Sequence, residues 1–117
     1  MSWDGTIKRE VIRATIPCRI IIHNHEGDTI DTTTINLSEG GVGITLKKEL
    51  QLASEVSLEI HKVTPKPIAC KGIIKWVNKV ESAYTYFYNI GIKFTQIKDR
   101  DLTAIKKFVA SIASNKK

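Results

Sequence analysis

The chain has 117 residues, 42% of them hydrophobic and 26% charged, proportions that suit one soluble globular domain and leave little room for a second catalytic lobe. No run of about 18 apolar residues occurs, which excludes a helical membrane span. The net charge of +6, from 18 Lys and Arg against 12 Asp and Glu, favours anionic partners such as nucleotides, nucleic acid or acidic protein surfaces, without choosing among them.

Residues 1–15 have weak caps and a short apolar pattern, and read as a flexible basic arm leading into the fold. No basic start followed by an apolar run marks a signal peptide. From Ile16 to His23 the apolar residues 16, 18, 20 and 22 share one face, the period of a strand, with Pro17 near its start. Asn24–Asp28 is a turn. Thr29–Leu37 is a Thr-rich strand in which Ile30 and Ile35 have opposite parity, which implies a bulge or two half-buried faces.

Asn36-Leu37-Ser38-Glu39-Gly40-Gly41-Val42-Gly43 follows, with three of the seven glycines in eight residues. It reads as a tight corner between strands with polar groups at its tip. Val42, Ile44 and Leu46 alternate, as do Val56, Leu58 and Ile60; the connection from Lys47 to Ser54 has room for a helical turn. After the break at Thr64-Pro65-Lys66-Pro67, a long strand places Ile68, Cys70, Gly72, Ile74 and Trp76 on one face, with Ala69, Ile73 and Val77 on the other. Asn78–Ala83 reads as a turn. Tyr84, Tyr86, Tyr88, Ile90, Ile92 and Phe94 alternate through the last strand, with Gly91 on the opposite face. From Asp99 the period changes: Leu102, Ile105, Val109 and Ile112 fall at helical spacing and Phe108 widens the stripe.

Six strands with no helix between them exclude a doubly wound α/β fold. The expected architecture is all-β with one helix: an antiparallel barrel over 16–97, the arm at 1–15, and a C-terminal helix over 99–113 packed on one opening, in a single domain over 1–117. Cys18 and Cys70 lie in apolar strand patterns. They read as buried thiols of a reduced, cytoplasmic protein rather than a disulfide.

Catalytic chemistry is poorly provided for. There is no G-x-S-x-G, no Walker or Rossmann glycine pattern, and no activating pattern at either cysteine. His23, His25 and His61 lack the spacing of a zinc site and read as surface or turn residues. Asp28 and Asp31 read as turn and edge residues rather than a catalytic carboxylate pair. A binder is better provided for. Arg9 and Arg13 lie four apart just before the first strand. Arginine matches phosphate bidentately, reads a guanine edge and stacks on purines. Asn36 and Ser38 leave the same face of an extended segment. Gly41 allows the backbone to bend and a flat ligand to approach.

Arg9-x-x-x-Arg13 followed by Asn36-x-Ser38-x-x-Gly41 resembles the paired motif of the PilZ family, receptor domains for cyclic di-GMP. Ile73-Ile74-Lys75-Trp76 is similar to that family's strand ending in Trp, and Asn89-Ile90-Gly91-Ile92-Lys93-Phe94 to its late strand with Gly and Phe. Both motifs in order, on a chain of six strands and a helix, are specific where each alone is weak. The resemblance spans roughly residues 7–113. It implies a six-stranded split barrel of Greek-key type and a receptor that is not an enzyme and has no cofactor or metal. It also implies an arm that orders on ligand binding and a downstream effector protein. On this resemblance Arg9 and Arg13 clamp phosphates or guanine edges, Asn36 and Ser38 bond a guanine, and Gly40 and Gly41 give clearance. Gly43 is assigned to strand packing. Trp76 is either a ligand contact or a rim aromatic, and Lys8 either a phosphate contact or a solvated lysine. Two rivals stand beside this reading. One is a module of the same fold that binds protein and not nucleotide. The other, less favoured, is a basic barrel that binds nucleic acid on Tyr84, Tyr86 and Tyr88.

Overall fold

A computed structural model describes residues 17–114, the last two by backbone alone. β1 (Arg19–Asn24) and β2 (Thr29–Ser38) form the first hairpin. Its turn is built by Asn24, whose side-chain oxygen accepts the N–H of Glu26 and of Asp28, both at 3.0 Å. Gly27 completes it at φ +91°, a conformation that glycine adopts without strain. β3 (Gly41–Leu46), β4 (Glu55–Ile60), β5 (Ile68–Glu81) and β6 (Tyr86–Gln96) follow, then α1 (Asp99–Ser114).

Every strand pairing is antiparallel, and the order β1-β2-β3-β6-β5-β4 closes on itself. This is the expected barrel with one terminal helix. The crossover is the Lys47–Ser54 connection, which carries the chain from between β2 and β6 to between β1 and β5. It contains no helical turn; a turn at Leu52 and Ala53 stands in its place, closed by the Ser54 N–H and hydroxyl on the Gln51 carbonyl at 3.2 and 2.6 Å.

The interior is filled by the alternating residues of all six strands, among them Ile20, Ile22, Leu37, Ile44, Leu58, Ile60, Ile68, Ile74 and Ile90, each at most 2% exposed. Burying each such side chain contributes about 2 kcal/mol before the entropy of ordering it is counted. Cys18 and Cys70 belong to this core as free thiols, and burial pushes both thiols up, that of Cys70 to about 12. α1 buries Ile105 and Val109 and packs beside β2. Its first turn carries Asp99 and Asp101, favourable at the positive end of a helix, and Lys106 and Lys107 face solvent.

Of the two alternatives for the Thr-rich strand, the bulge is present: the β2–β3 register shifts between Thr34 and Asn36, with Ile35 as the extra residue. Thr34 stays buried because its hydroxyl accepts the Cys18 N–H at 3.0 Å. Ile16 lies outside the described residues, and β1 starts at Arg19.

Three expectations need correction. β5 does not turn at Asn78; it pairs with β6 out to Glu81↔Tyr86. The turn is confined to Ser82–Thr85, where the Ser82 N–H reaches the Thr85 carbonyl at 2.9 Å. Tyr84 is therefore no part of β6 but sits at the hairpin tip, 97% exposed. Polar Asn78 and Lys79 resemble turn residues in sequence, yet here they are solvent-facing positions of a strand held by its partner. Third, Trp76 does not share a face with Ile74. Between Ile74↔Ile92 and Trp76↔Gly91 the register shifts, so Lys75 is an extra residue and the parity reverses.

Candidate functional site

The reversal at Lys75 has a consequence on the outer face of the barrel. Asn36 pairs with Gly43, Gly43 with Gly91, and Gly91 with Trp76, a row across β2, β3, β6 and β5. All four positions are of outward parity, since their neighbours Leu37, Val42 and Ile92 are buried inside. A Cβ on Gly43 would lie 3.0–3.3 Å from the Asn36 side-chain amide. One on Gly91 would lie 2.3 Å from the Trp76 indole. The two glycines are thus a floor over which an amide and an indole are laid from opposite sides. The indole remains 49% exposed, so an aromatic surface is offered to solvent.

Beside this row runs a second, Ser38–Gly41–Lys93–Ile73. Ser38 is 5% exposed and its hydroxyl oxygen accepts the Gly40 N–H at 3.2 Å. Among the described residues its own O–H has no acceptor. Gly40 is open: a Cβ there would meet only the Ser38 hydroxyl, at 3.8 Å. Gly41 is closed, because a Cβ would fall 2.0 Å from the Ile92 carbonyl oxygen. The close approach at Gly41 is therefore between β3 and β6 themselves, tied by the Phe94 N–H on the Gly40 carbonyl at 3.0 Å. The corner is also tied to the helix by Lys106 on Glu39 at 3.4 Å.

Lys93 is the residue that the sequence reading passed over. It is exposed on the same face, directly paired with Gly41. The alternation of β6, with Ile92 and Phe94 inside, was sufficient to place it there. Arg9, Arg13 and Lys8 lie outside the described residues. The structure thus brings together Asn36, Ser38, Gly40, Gly41 and Trp76, and adds Lys93.

The other candidates are accounted for as ordinary surface chemistry. Asp31 is held by Arg19 in a two-pronged pair at 2.7 and 3.1 Å, and Asp28 by Lys48 at 2.7 Å. Hydrogen bonds from these partners hold both carboxyls below their ordinary value. His23 lies against the Thr29 hydroxyl and His61 against Glu59, and the described residues contain no cluster that would hold a metal ion. Tyr86 and Tyr88 meet edge to face at 5.9 Å, with Lys79 5.0 Å from the Tyr86 ring centre and Lys47 5.6 Å from it. No helix among the described residues is long and apolar enough to cross a membrane.

Comparison with known proteins gives the following. The family model of the PilZ domain matches residues 7–111. The structure is similar to the Bacillus subtilis inhibitor of motility, MotI/DgrA, with a TM-score of 0.80, 18% identity and 96% of this chain covered. It is similar to K. pneumonia MrkH with a TM-score of 0.79, 16% identity and 99% covered. The chain spans about half of each, 54% of their lengths. The c-di-GMP-bound PilZ domain of Escherichia coli YcgR is matched over 93% of its length and 92% of this chain, with a TM-score of 0.72 and 15% identity. At these identities the likeness shows the fold. No curated protein matches the sequence.

Proposed function

The chain belongs to the PilZ domain family, and from that premise we propose that it is a receptor for cyclic di-GMP, cytoplasmic and without catalytic activity. One observation carries the reading: the motif residues Asn36 and Ser38 lie on one outer face with an exposed indole and an exposed lysine. That combination suits a ligand with two guanines and two phosphates. Asn36 and the Ser38 hydroxyl bond a guanine edge. Trp76 stacks on a base, and Lys93 meets a phosphate. Gly40 leaves room for the base beside the corner. Arg9 and Arg13, with Lys8 beside them, close from the arm as the clamp on phosphate or on a guanine O6/N7 edge. YcgR and MrkH, which share the fold, hold c-di-GMP in their own structures. Closing the arm over this face changes the surface that a downstream protein meets, which makes binding a signal.

Titration calorimetry with cyclic di-GMP tests the reading. Binding is expected, and Arg13→Ala weakens it about ten- to a hundredfold, the loss of one charge-assisted contact. Unchanged affinity in a folded Arg13→Ala protein sinks the clamp. An NMR spectrum that does not respond to the nucleotide at all would move the chain to the protein-binding module of the same fold.

A further inference from the structure

Asn89, Gly91 and Lys93 follow one another along the outer side of β6, about 7 Å apart. Trp76 lays its indole over the middle one. A flat group stacked on that indole therefore has Lys93 at one margin and Asn89 at the other. Asn89 is half-buried and directly paired with Thr45 on β3, whose hydroxyl donates to the Asn89 side-chain carbonyl at 2.9 Å. Thr45 is itself half-buried and β-branched, which limits the directions its hydroxyl can take. The bond fixes the amide. Its oxygen is turned to Thr45 and occupied, and its N–H2 group is turned away from Thr45. Among the described residues this N–H2 group has no acceptor. The next outward positions on β3 and β6, Gly43 and Gly91, carry no side chain that could cover it.

A donor held beside an aromatic platform can tell bases apart. Guanine presents two acceptors, O6 and N7, on its major-groove edge, where adenine presents N7 and an N6–H2 donor. An asparagine free to turn uses its oxygen and its nitrogen together and matches adenine bidentately. An asparagine whose oxygen is taken can only donate. It matches guanine O6, and it meets the adenine N6–H2 group donor to donor, which leaves both unpaired. We propose that Asn89, oriented by Thr45, makes the Trp76 side of the face specific for guanine, so that the ligand taken is a cyclic dinucleotide with guanine in both positions. Asn89 touches the base. Thr45 is a positioning residue that acts only through Asn89.

This assignment deepens the receptor reading above and rests on it: Asn36 and Ser38 take one guanine, and a phosphate at Lys93 sends the base on the indole toward the opposite margin, where Asn89 stands. Titration calorimetry on the full-length chain compares cyclic di-GMP with cyclic GMP-AMP, the mixed dinucleotide of the same ring, which keeps a guanine for the corner and offers adenine to the indole. The native chain is expected to bind cyclic di-GMP about tenfold tighter or more. Thr45→Val removes the hydroxyl and frees the amide to turn, and the preference shrinks to about twofold or less, chiefly through tighter binding of the mixed nucleotide. Thr45→Ser retains the hydroxyl and retains the preference. Asn89→Asp places an acceptor in the same shape and reverses the order, and it carries the test should Thr45→Val fail to fold. Lost packing alone would weaken both nucleotides by one factor and leave their ratio as it was. An unchanged ratio in the folded variants therefore overturns the assignment while the receptor reading stands. So does a native chain that binds cyclic di-GMP but binds the mixed nucleotide as tightly. A native chain that binds neither nucleotide removes the receptor reading and this assignment with it.

Discussion

Two adjacent glycines at the corner have different physical duties. At Gly41 a methyl group would fall 2.0 Å from the Ile92 carbonyl oxygen, a backbone atom that moves only if β6 moves. At Gly40 it would meet one hydroxyl at ordinary contact distance. Gly41→Ala is therefore expected to cost about 2 kcal/mol or more, and Gly40→Ala to stay within about 0.5 kcal/mol, both read from urea unfolding. Equal costs would mean that the strands do not approach as described. Cys70 gives a residue-level prediction of another kind. Burial pushes its thiol up to about 12, with Asp101 adding to the effect, above its value in an unfolded chain, near 9. A folded-state pKa raised in this way favours the native protein while the unfolded thiol is still protonated. The advantage is lost as pH rises from about 9 toward the folded value. Thermal melts of the native chain and of Cys70→Ala at pH values between about 8 and 10.5 isolate this thiol, because every other group is common to both. The native chain should lose more stability than the variant over that range. Parallel loss in the two would show that the thiol carries no such linkage.

At the scale of elements, the sequence made periodicity legible and left register out of sight. Ile20, Ile22, Val56, Leu58, Ile60, Ile90 and Ile92 could be placed inside by alternation alone, and they are buried. The helix was found from its stripe of Leu102, Ile105, Val109 and Ile112, to within one residue of its end. The β2 bulge was visible because two isoleucines in one strand differed in parity. The β5 bulge was not, because Lys75 and Trp76 are compatible with either parity and only the pairing to Gly91 decides. For the same reason the turn expected at Asn78 proved to be strand: polarity does not distinguish a turn from a doubly solvated ribbon. The alignment of Asn36, Gly43, Gly91 and Trp76 in one row is a property of register across four strands, and no local pattern encodes it. Turn geometry was equally hidden. Ala53 adopts φ +68° in the turn before β4, where a Cβ costs about 1 kcal/mol or more. Ala53→Gly should relieve that, offset in part by the greater freedom of glycine in the unfolded chain. The expected gain is about 0.5 kcal/mol in urea unfolding, and a loss of stability there would contradict the left-handed turn.

For the molecule as a whole, the barrel places its apolar core and the proposed nucleotide face on opposite sides of the same strands, so the proposed binding would be thermodynamically linked to folding. Every strand that lends a residue to the face, from Asn36 on β2 to Trp76 on β5, also lends neighbours to the core. Unfolding scatters all of them, so on the proposed reading the nucleotide binds the folded chain alone. Cyclic di-GMP at about a hundred times its dissociation constant should then stabilise the protein by about 2.7 kcal/mol. For a domain of this length that corresponds to a rise in Tm of about 10 °C. The rise should shrink with added salt, since a dianion meeting a chain of charge +6 is drawn partly by long-range attraction that salt screens. If Arg13 is the clamp proposed above, Arg13→Ala should melt at the native temperature without nucleotide and show little rise with it. A variant that melts early without ligand would assign Arg13 to the fold. A full rise in the variant would remove it from the site. Only an unchanged free Tm combined with a lost ligand response assigns it to the nucleotide.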